Sequence, residues 1–195
     1  MESSLKNMVL TLLIITFVTS AVVGLVYQVT EAPIAEAKTA KVTGAIAQVL
    51  PAFDNNPADL KQVEMVDGKE VVIYPALNGS DTVGYAIETF SNNGFGGLIK
   101  LMVGFLPDGT IYKVEALSHS ETPGLGDKIE RKKSNFSVQF EGKNPATFKL
   151  SVKKDGGDVD AITASTISSR AFTDAVDRAY KVFQSLNQKG GESHE

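Results

Sequence analysis

The sequence predicts an α+β fold, in which one N-terminal transmembrane helix is followed by a single domain with a small antiparallel sheet packed on helices. Three observations predict it. An apolar run without formal charge stands near the N-terminus, short stretches of β-branched and aromatic residues follow, and an apolar stripe with helical spacing comes near the C-terminus. About 165 residues follow the apolar run, a usual size for one domain.

The apolar run extends from Met8 to Val29. As a helix of about 22 residues it would be about 33 Å long, which matches the hydrocarbon core of a bilayer. We therefore assign residues 1–30 to a single-pass anchor. Lys6 before the run and Glu31 after it favour a cytoplasmic N-terminus and a domain on the outer side. The alternative is a cleaved signal peptide, but its apolar region would normally be about 7–15 residues long.

The rest of the chain divides into three parts. Residues 31–52 are rich in alanine and predict a linker helix that is ended by Pro51. Residues 53–188 are assigned to the domain, and residues 189–195 to a flexible polar tail.

Stretches of β-branched and aromatic residues between turn residues predict four strands: Val71–Leu77, Thr82–Phe90, Leu98–Leu106 and Thr110–Leu117. The tripeptide Pro107-Asp108-Gly109 predicts a hairpin between the last two, because Pro presets φ and Gly accepts a positive φ.

Two further elements are predicted in the C-terminal third. A strand is expected over Thr147–Lys153. From Phe172 to Leu186 the apolar residues recur at helical spacing, which predicts an amphipathic helix whose apolar stripe belongs to the core.

Composition excludes several classes of function. The formal net charge is -4 and no run of Lys and Arg could track a phosphate backbone, so nucleic-acid binding is not expected. The absence of cysteine excludes disulfides, iron-sulfur clusters and thiolate zinc sites. His119 and His194 are the only histidines, which leaves no basis for a multi-histidine metal site. Redox chemistry would therefore require a bound cofactor.

A cluster of hydroxyl side chains precedes the C-terminal helix, with Thr163, Ser165, Thr166, Ser168 and Ser169 falling within seven residues. One interpretation is helix capping, since a Ser or Thr oxygen accepts a hydrogen bond from an unpaired backbone N–H. The other is a phosphate site, because free N–H groups and the positive end of the helix dipole attract anions.

The segment Asp160–Ser169 resembles the flavinylation motif D-x-x-[ST]-G-A-[ST]-x-[ST]. That motif belongs to the FMN-binding domain found in the G subunit of the Rnf electron-transport complex and the C subunit of sodium-translocating NADH:quinone reductase. The resemblance implies that a flavin transferase of the ApbE type links the FMN phosphate covalently to Thr166. Thr163 and Ser168 then occupy the first and last hydroxyl positions, and Ser169 is an additional hydroxyl beside the site.

The chain departs from this motif at two positions, because Ala164-Ser165 stands where the motif has Gly-Ala. If the backbone requires a positive φ here, Ala is strained and modification is impaired; otherwise the change has no effect on the backbone. Ser165 also becomes a second conceivable acceptor.

Two more segments resemble the same domain. Residues 118–129 resemble its H-x-E-T-P-G-L-G-D loop, and the Gly-rich turn at 94–97 precedes a strand as in the family. Apolar residues of these segments suit the face of a flavin ring, glycines allow close backbone approach, and polar residues supply contacts. The expected flavin-binding residues in the loop are His119, Glu121, Thr122, Pro123, Gly124, Leu125 and Gly126, and those in the turn are Gly94, Phe95 and Gly96. The alternatives are that the loop is a rigid surface turn, that His119 is a hydrogen-bonded loop histidine and that Phe95 belongs to the core.

The resemblance covers nearly the whole chain and is closest to the Rnf G subunit. It implies a flavoprotein subunit that relays electrons in an ion-translocating complex of the ferredoxin:NAD type, anchored in the bacterial inner membrane with its domain on the periplasmic side. The expected partners are the other subunits of that complex. No nucleophile-base pair is apparent, so we expect no catalysis by the isolated chain. The alternatives are a membrane-tethered FMN sensor and a flavin-free assembly subunit.

Overall fold

The N-terminal part of the chain is helical. The computed structural model describes residues 4–191, and its first helix, α1, extends from Leu5 to Val49. Within the described residues, α1 is the one helix long and apolar enough to cross a membrane. The predicted anchor and linker helices are therefore one continuous helix. It passes through Pro33 and ends two residues before Pro51.

The chain divides into two compact units between Lys41 and Val42. The second unit therefore begins inside α1 and includes the last two turns of that helix. The predicted domain boundary at residue 53 leaves these turns out.

The second unit contains one antiparallel sheet of five strands: β1 (Gln62–Val66), β2 (Lys69–Asn78), β3 (Asp81–Gly94), β4 (Gly97–Phe105) and β5 (Ile111–Ser118). The strands lie side by side in chain order. The four strands predicted from the sequence are confirmed as β2 to β5, and so is the hairpin, in which Gly109 has φ 84°. Strand β1 was not predicted from the sequence; it pairs with β2 across a turn formed by Asp67 and Gly68, both of which have positive φ.

Each face of the sheet is covered by a helix. The second helix, α2, extends from Thr166 to Gly191 and packs on one face, where its apolar stripe is buried as predicted. Its core partners include Ile73, Ile87, Phe90, Leu101, Val103 and Phe105. The end of α1 and the adjoining Leu50 pack on the other face, where Ile46, Val49 and Leu50 meet Tyr74, Ala76, Ala86, Met102 and Leu117.

The segment between β5 and α2 has little regular structure. It contains three short 3-10 helices, Gly126–Ile129, Phe136–Phe140 and Lys153–Asp155. The predicted strand over Thr147–Lys153 is wrong, because the backbone there bonds locally: Val159 N–H donates to the Ser151 carbonyl at 3.0 Å, and the only pairing is an isolated bridge from Val152. The predicted tail begins inside α2, and His194 lies outside the described residues.

Candidate functional site

The hydroxyl cluster forms the start of α2. Thr166 is the first helical residue, and the first helical hydrogen bond runs from Ser169 N–H to the Ser165 carbonyl at 3.0 Å. The N–H groups of Thr166, Ile167 and Ser168 therefore have no carbonyl partner in the helix, as is usual in a first turn. They form the positive end of the α2 dipole and can bind an anion.

Two of the five hydroxyls are committed to protein partners. The Ser168 hydroxyl donates to Oε2 of Glu121. The Ser169 hydroxyl donates to the Ser165 carbonyl at 2.9 Å and accepts the Ile162 N–H at 2.9 Å. Both side chains are buried, so they hold the segment together and are not available for modification.

The other three hydroxyls differ in their exposure. Thr163 is exposed and lies outside the pocket described below, whereas Ser165 is buried with 6% exposure. Thr166 is half-buried and lines the pocket, and its hydroxyl has no hydrogen-bond partner among residues 4–191. Thr166 thus combines a free hydroxyl with access from solvent.

Ala164 has φ 62°, in the left-handed region that L-residues avoid. This is the position at which the flavinylation motif has Gly. The backbone therefore requires the conformation that Gly adopts without strain, and the Ala side chain is accommodated because it is exposed. The sequence left two possibilities open, and the one in which the backbone does not need a positive φ is excluded. The other, that the strained Ala164 impairs the modification, stays a prediction that Ala164→Gly tests.

Three segments that are far apart in the chain form a pocket of ≈ 330 Å³ in front of Thr166. They are the β3–β4 turn, the loop after β5 and the start of α2. Its lining residues are Phe95, Glu121, Thr122, Leu125, Gly126, Ala164, Ser165, Thr166, Ile167 and Ser168.

The rim of the pocket is apolar. Phe95, Leu125 and Ile167 are 70%, 43% and 47% exposed, one from each segment. Large apolar side chains that stand in water around a pocket are suited to covering the face of a planar ring. Ile167 and Ala164 line the pocket although the sequence analysis did not select them. Their position close to Thr166 in the sequence is the signal by which they could have been predicted.

Four of the predicted residues lie outside the pocket lining. Gly94, Gly96, Pro123 and Gly124 do not line it. Gly96 allows the hairpin to touch the loop, since a Cβ there would lie 1.9 Å from the carbonyl oxygen of Ser120. No side chain larger than hydrogen fits at this contact.

His119 does not line the pocket. Its Nδ1 accepts the Glu121 N–H at 3.2 Å, so Nε2 carries the proton that is donated to Oε1 of Glu130 at 2.8 Å. Lys133 Nζ bridges Glu130 at 2.9 Å and Asp127 at 3.1 Å. The network fixes the loop that carries Glu121.

The same network shifts the pKa values of its acidic and basic side chains. The pKa of the Asp127 carboxyl is lowered, first by the Gly124 N–H and then by Lys133, against the opposing effect of burial. Lys133 and, more weakly, His119 lower the pKa of Glu130. Hydrogen bonds to Glu130 and Asp127 raise the pKa of Lys133.

Arg170 is the cation nearest to Thr166 along the chain. Its guanidinium binds both carboxylate oxygens of Asp155 at 2.7 Å and lowers the pKa of that carboxyl. Because Arg170 is engaged in this way, the anion-binding capacity at Thr166 comes from backbone N–H groups.

Residues 94–181 match the family described as FMN-binding domain. The G subunit of the ion-translocating oxidoreductase complex of Shewanella amazonensis is 37% identical over 179 residues, which cover 87% of this chain and 83% of that protein. The chain belongs to this family of G subunits. The corresponding protein of Vibrio atlanticus is 33% identical over 197 residues (96% of this chain and 94% of that protein), and that of Pseudomonas aeruginosa is 33% identical over 199 residues (96% and 92%).

The pocket of this member of the G-subunit family has the chemistry that FMN requires. All its lining residues fall inside the matched range 94–181. Free N–H groups at the start of α2 suit a phosphate, and the apolar rim suits the flavin ring. Between residues 4 and 191 no cluster of three or more His, Asp or Glu is arranged to hold a metal ion.

Proposed function

We propose that the chain is a membrane-anchored electron-carrying subunit whose FMN is bound by a phosphoester to Thr166. The observation that carries the proposal is the Thr166 hydroxyl, which is free, half-buried and at the mouth of the pocket. It also lies where the first N–H groups of α2 converge. A phosphate attached there would lie at the positive end of the helix dipole.

The attachment requires a flavin transferase of the ApbE type with FAD as donor. The Thr166 oxygen forms a bond to the phosphorus of the FMN half, the pyrophosphate bond breaks, AMP leaves and the hydroxyl proton is lost. N–H groups of the first turn of α2 would stabilise the remaining negative charge by about 0.3–1 kcal/mol.

Bound FMN supplies one- and two-electron transfer, which the amino acids of this chain lack. The chain itself would hold and orient the ring: Phe95, Leu125 and Ile167 line the pocket and would cover the faces of the ring and limit water around it. Transfer to the next carrier then needs no acid-base residue of this chain.

We place the chain in a complex of the Rnf type, which moves electrons between ferredoxin and NAD and translocates ions across the inner membrane. The candidate span in α1 supports anchoring, and Lys6 and Glu31 support a periplasmic position of the domain. A covalent bond suits that side, where free flavin is scarce and a dissociable cofactor would be lost by mass action.

The test is co-expression of the full chain with its flavin transferase, followed by flavin fluorescence on a denaturing gel. The unaltered chain should give a fluorescent band that survives SDS, Thr166→Ala should abolish it, and the matched control Ser165→Ala should retain it. An unaltered chain without fluorescence would refute covalent attachment. A band that persists in Thr166→Ala but disappears in Ser165→Ala would move the acceptor to Ser165. Copurification with other membrane subunits distinguishes a relay from a sensor.

A further inference from the structure

We propose that Glu121 is a positioning residue that joins the three segments of the FMN pocket, and that it acts on the flavin through them. This inference rests on the proposed function. From the sequence, Glu121 is expected to supply a polar contact to the flavin. Its hydrogen bonds instead go to the protein.

Both carboxylate oxygens of Glu121 have partners. Oε1 accepts the Gly96 N–H at 2.8 Å, and Oε2 accepts the Ser168 hydroxyl. The first bond holds the tip of the β3–β4 hairpin and the second holds the first turn of α2. Because Glu121 belongs to the loop after β5, one side chain connects all three walls of the pocket.

The site for this carboxylate is enclosed by two glycines. A Cβ at Gly94 would lie 2.7 Å from Oε1 of Glu121, and a Cβ at Gly126 would lie 2.7 Å from Oε2. Glu121 itself is only 5% exposed. The carboxylate therefore occupies space that larger residues at these positions would fill.

The backbone of Glu121 is also fixed. Its N–H donates to Nδ1 of His119, which in turn is bonded to Glu130. These bonds fix the loop at Glu121, and the carboxylate in turn binds Gly96 and Ser168. Loss of the carboxylate would release the hairpin tip with Phe95 and the helix start with Ile167, the apolar side chains that cover the flavin ring.

The experiment compares Glu121→Ala with Glu121→Gln in the full chain in detergent. Gln retains an acceptor for Gly96 N–H and places an amide donor beside the Ser168 oxygen, so it should preserve both connections. Glu70→Ala, a change at an exposed carboxylate on β2, is the matched control. Ser168→Ala removes one connection only and should have an intermediate effect if Glu121→Ala fails to fold.

The first readout needs no flavin. In unmodified protein, hydrogen exchange at the Gly96 amide should be about tenfold faster in Glu121→Ala than in the unaltered chain, because the amide loses its hydrogen-bond acceptor. It should be little changed in Glu121→Gln and Glu70→Ala. Equal exchange in Glu121→Ala and the unaltered chain would overturn the positioning role, even if the proposed flavin attachment is correct.

The second readout follows the flavin on the modified chain. Glu121→Ala should lose at least half of the visible circular dichroism and show lower fluorescence anisotropy, whereas Glu121→Gln should keep both signals. If Glu121→Gln loses as much as Glu121→Ala, the hydrogen bonds are not the cause and the inference is wrong. An unmodified wild-type chain would count against the proposed function alone, since the exchange experiment still tests Glu121.

Discussion

Replacement of Ala164 by glycine should stabilise the protein. Ala164 has φ 62°, and this region costs an L-residue about 1–2 kcal/mol relative to glycine. Glycine has greater freedom in the unfolded chain, which offsets about 0.4–1 kcal/mol of that gain. A net gain of about 0.5–1 kcal/mol corresponds to a rise in Tm of about 1–4 °C for a chain of this size.

The assay is thermal unfolding of the full chain in detergent, followed by near-ultraviolet circular dichroism of its tyrosines. Protein made without flavin transferase is used, so that bound flavin does not alter the apparent stability. Ala146→Gly is the matched control, because Ala146 is also exposed and lies in a turn but has no positive φ. There the glycine should lower stability, by about 0.4–1 kcal/mol if only chain entropy changes.

The changes in Tm of the two glycine variants, compared with each other, test whether Ala164 is strained. If Ala164→Gly lowers Tm as much as Ala146→Gly does, the strain assigned to Ala164 does not exist. Flavinylation gives a second measurement. Since glycine retains the backbone conformation of the segment, the modified fraction in Ala164→Gly should equal or exceed that of the unaltered chain.

Two other predictions concern the loop after β5. Gly96→Ala should destabilise the protein by more than about 2 kcal/mol and reduce flavin incorporation, because the new methyl group would overlap the Ser120 carbonyl; urea unfolding and gel fluorescence measure the two effects. Lys133→Met should make the free energy of unfolding fall less steeply as the pH is lowered into the acid range. The lowered carboxyl pKa values of Asp127 and Glu130 stabilise the fold above about pH 4, and this contribution is lost as pH falls through their folded values. The measurement is the urea midpoint of each protein at about pH 3–6, expressed as its change from the value at neutral pH. If this change is the same for Lys133→Met and the unaltered chain, the account is wrong.

The predicted elements were correct where local chemistry determines them. Pro107 and Gly109 define a hairpin on their own, and the stripe from Phe172 defines the face of α2. Strand β1 was not predicted because it is short, lies at the sheet edge and is largely exposed. The dipeptide Asp67-Gly68, a typical hairpin signal, could have indicated it. The strand predicted over Thr147–Lys153 failed because an alternating apolar pattern does not supply a neighbouring strand.

The three segments of the site were identified from sequence, but their connections were not. Ser168 and Glu121 are 47 residues apart, and no local pattern indicates that their side chains meet. The same applies to His119, which binds Glu130 and does not line the pocket. The left-handed conformation of Ala164 was a question raised by the sequence, and only the three-dimensional structure supplied the answer.

The last turns of α1 have a practical consequence for protein production. Ile46, Val49 and Leu50 are at most 4% exposed, and burial of such side chains contributes about 1.5–3 kcal/mol each. Their combined contribution is comparable to the whole stability of a typical domain. A soluble fragment that begins at residue 53 would lack these side chains, so Met102 and Leu117 would be exposed to water and the fragment would be prone to aggregate. Fragments for crystallisation or potentiometry should therefore begin no later than Val42.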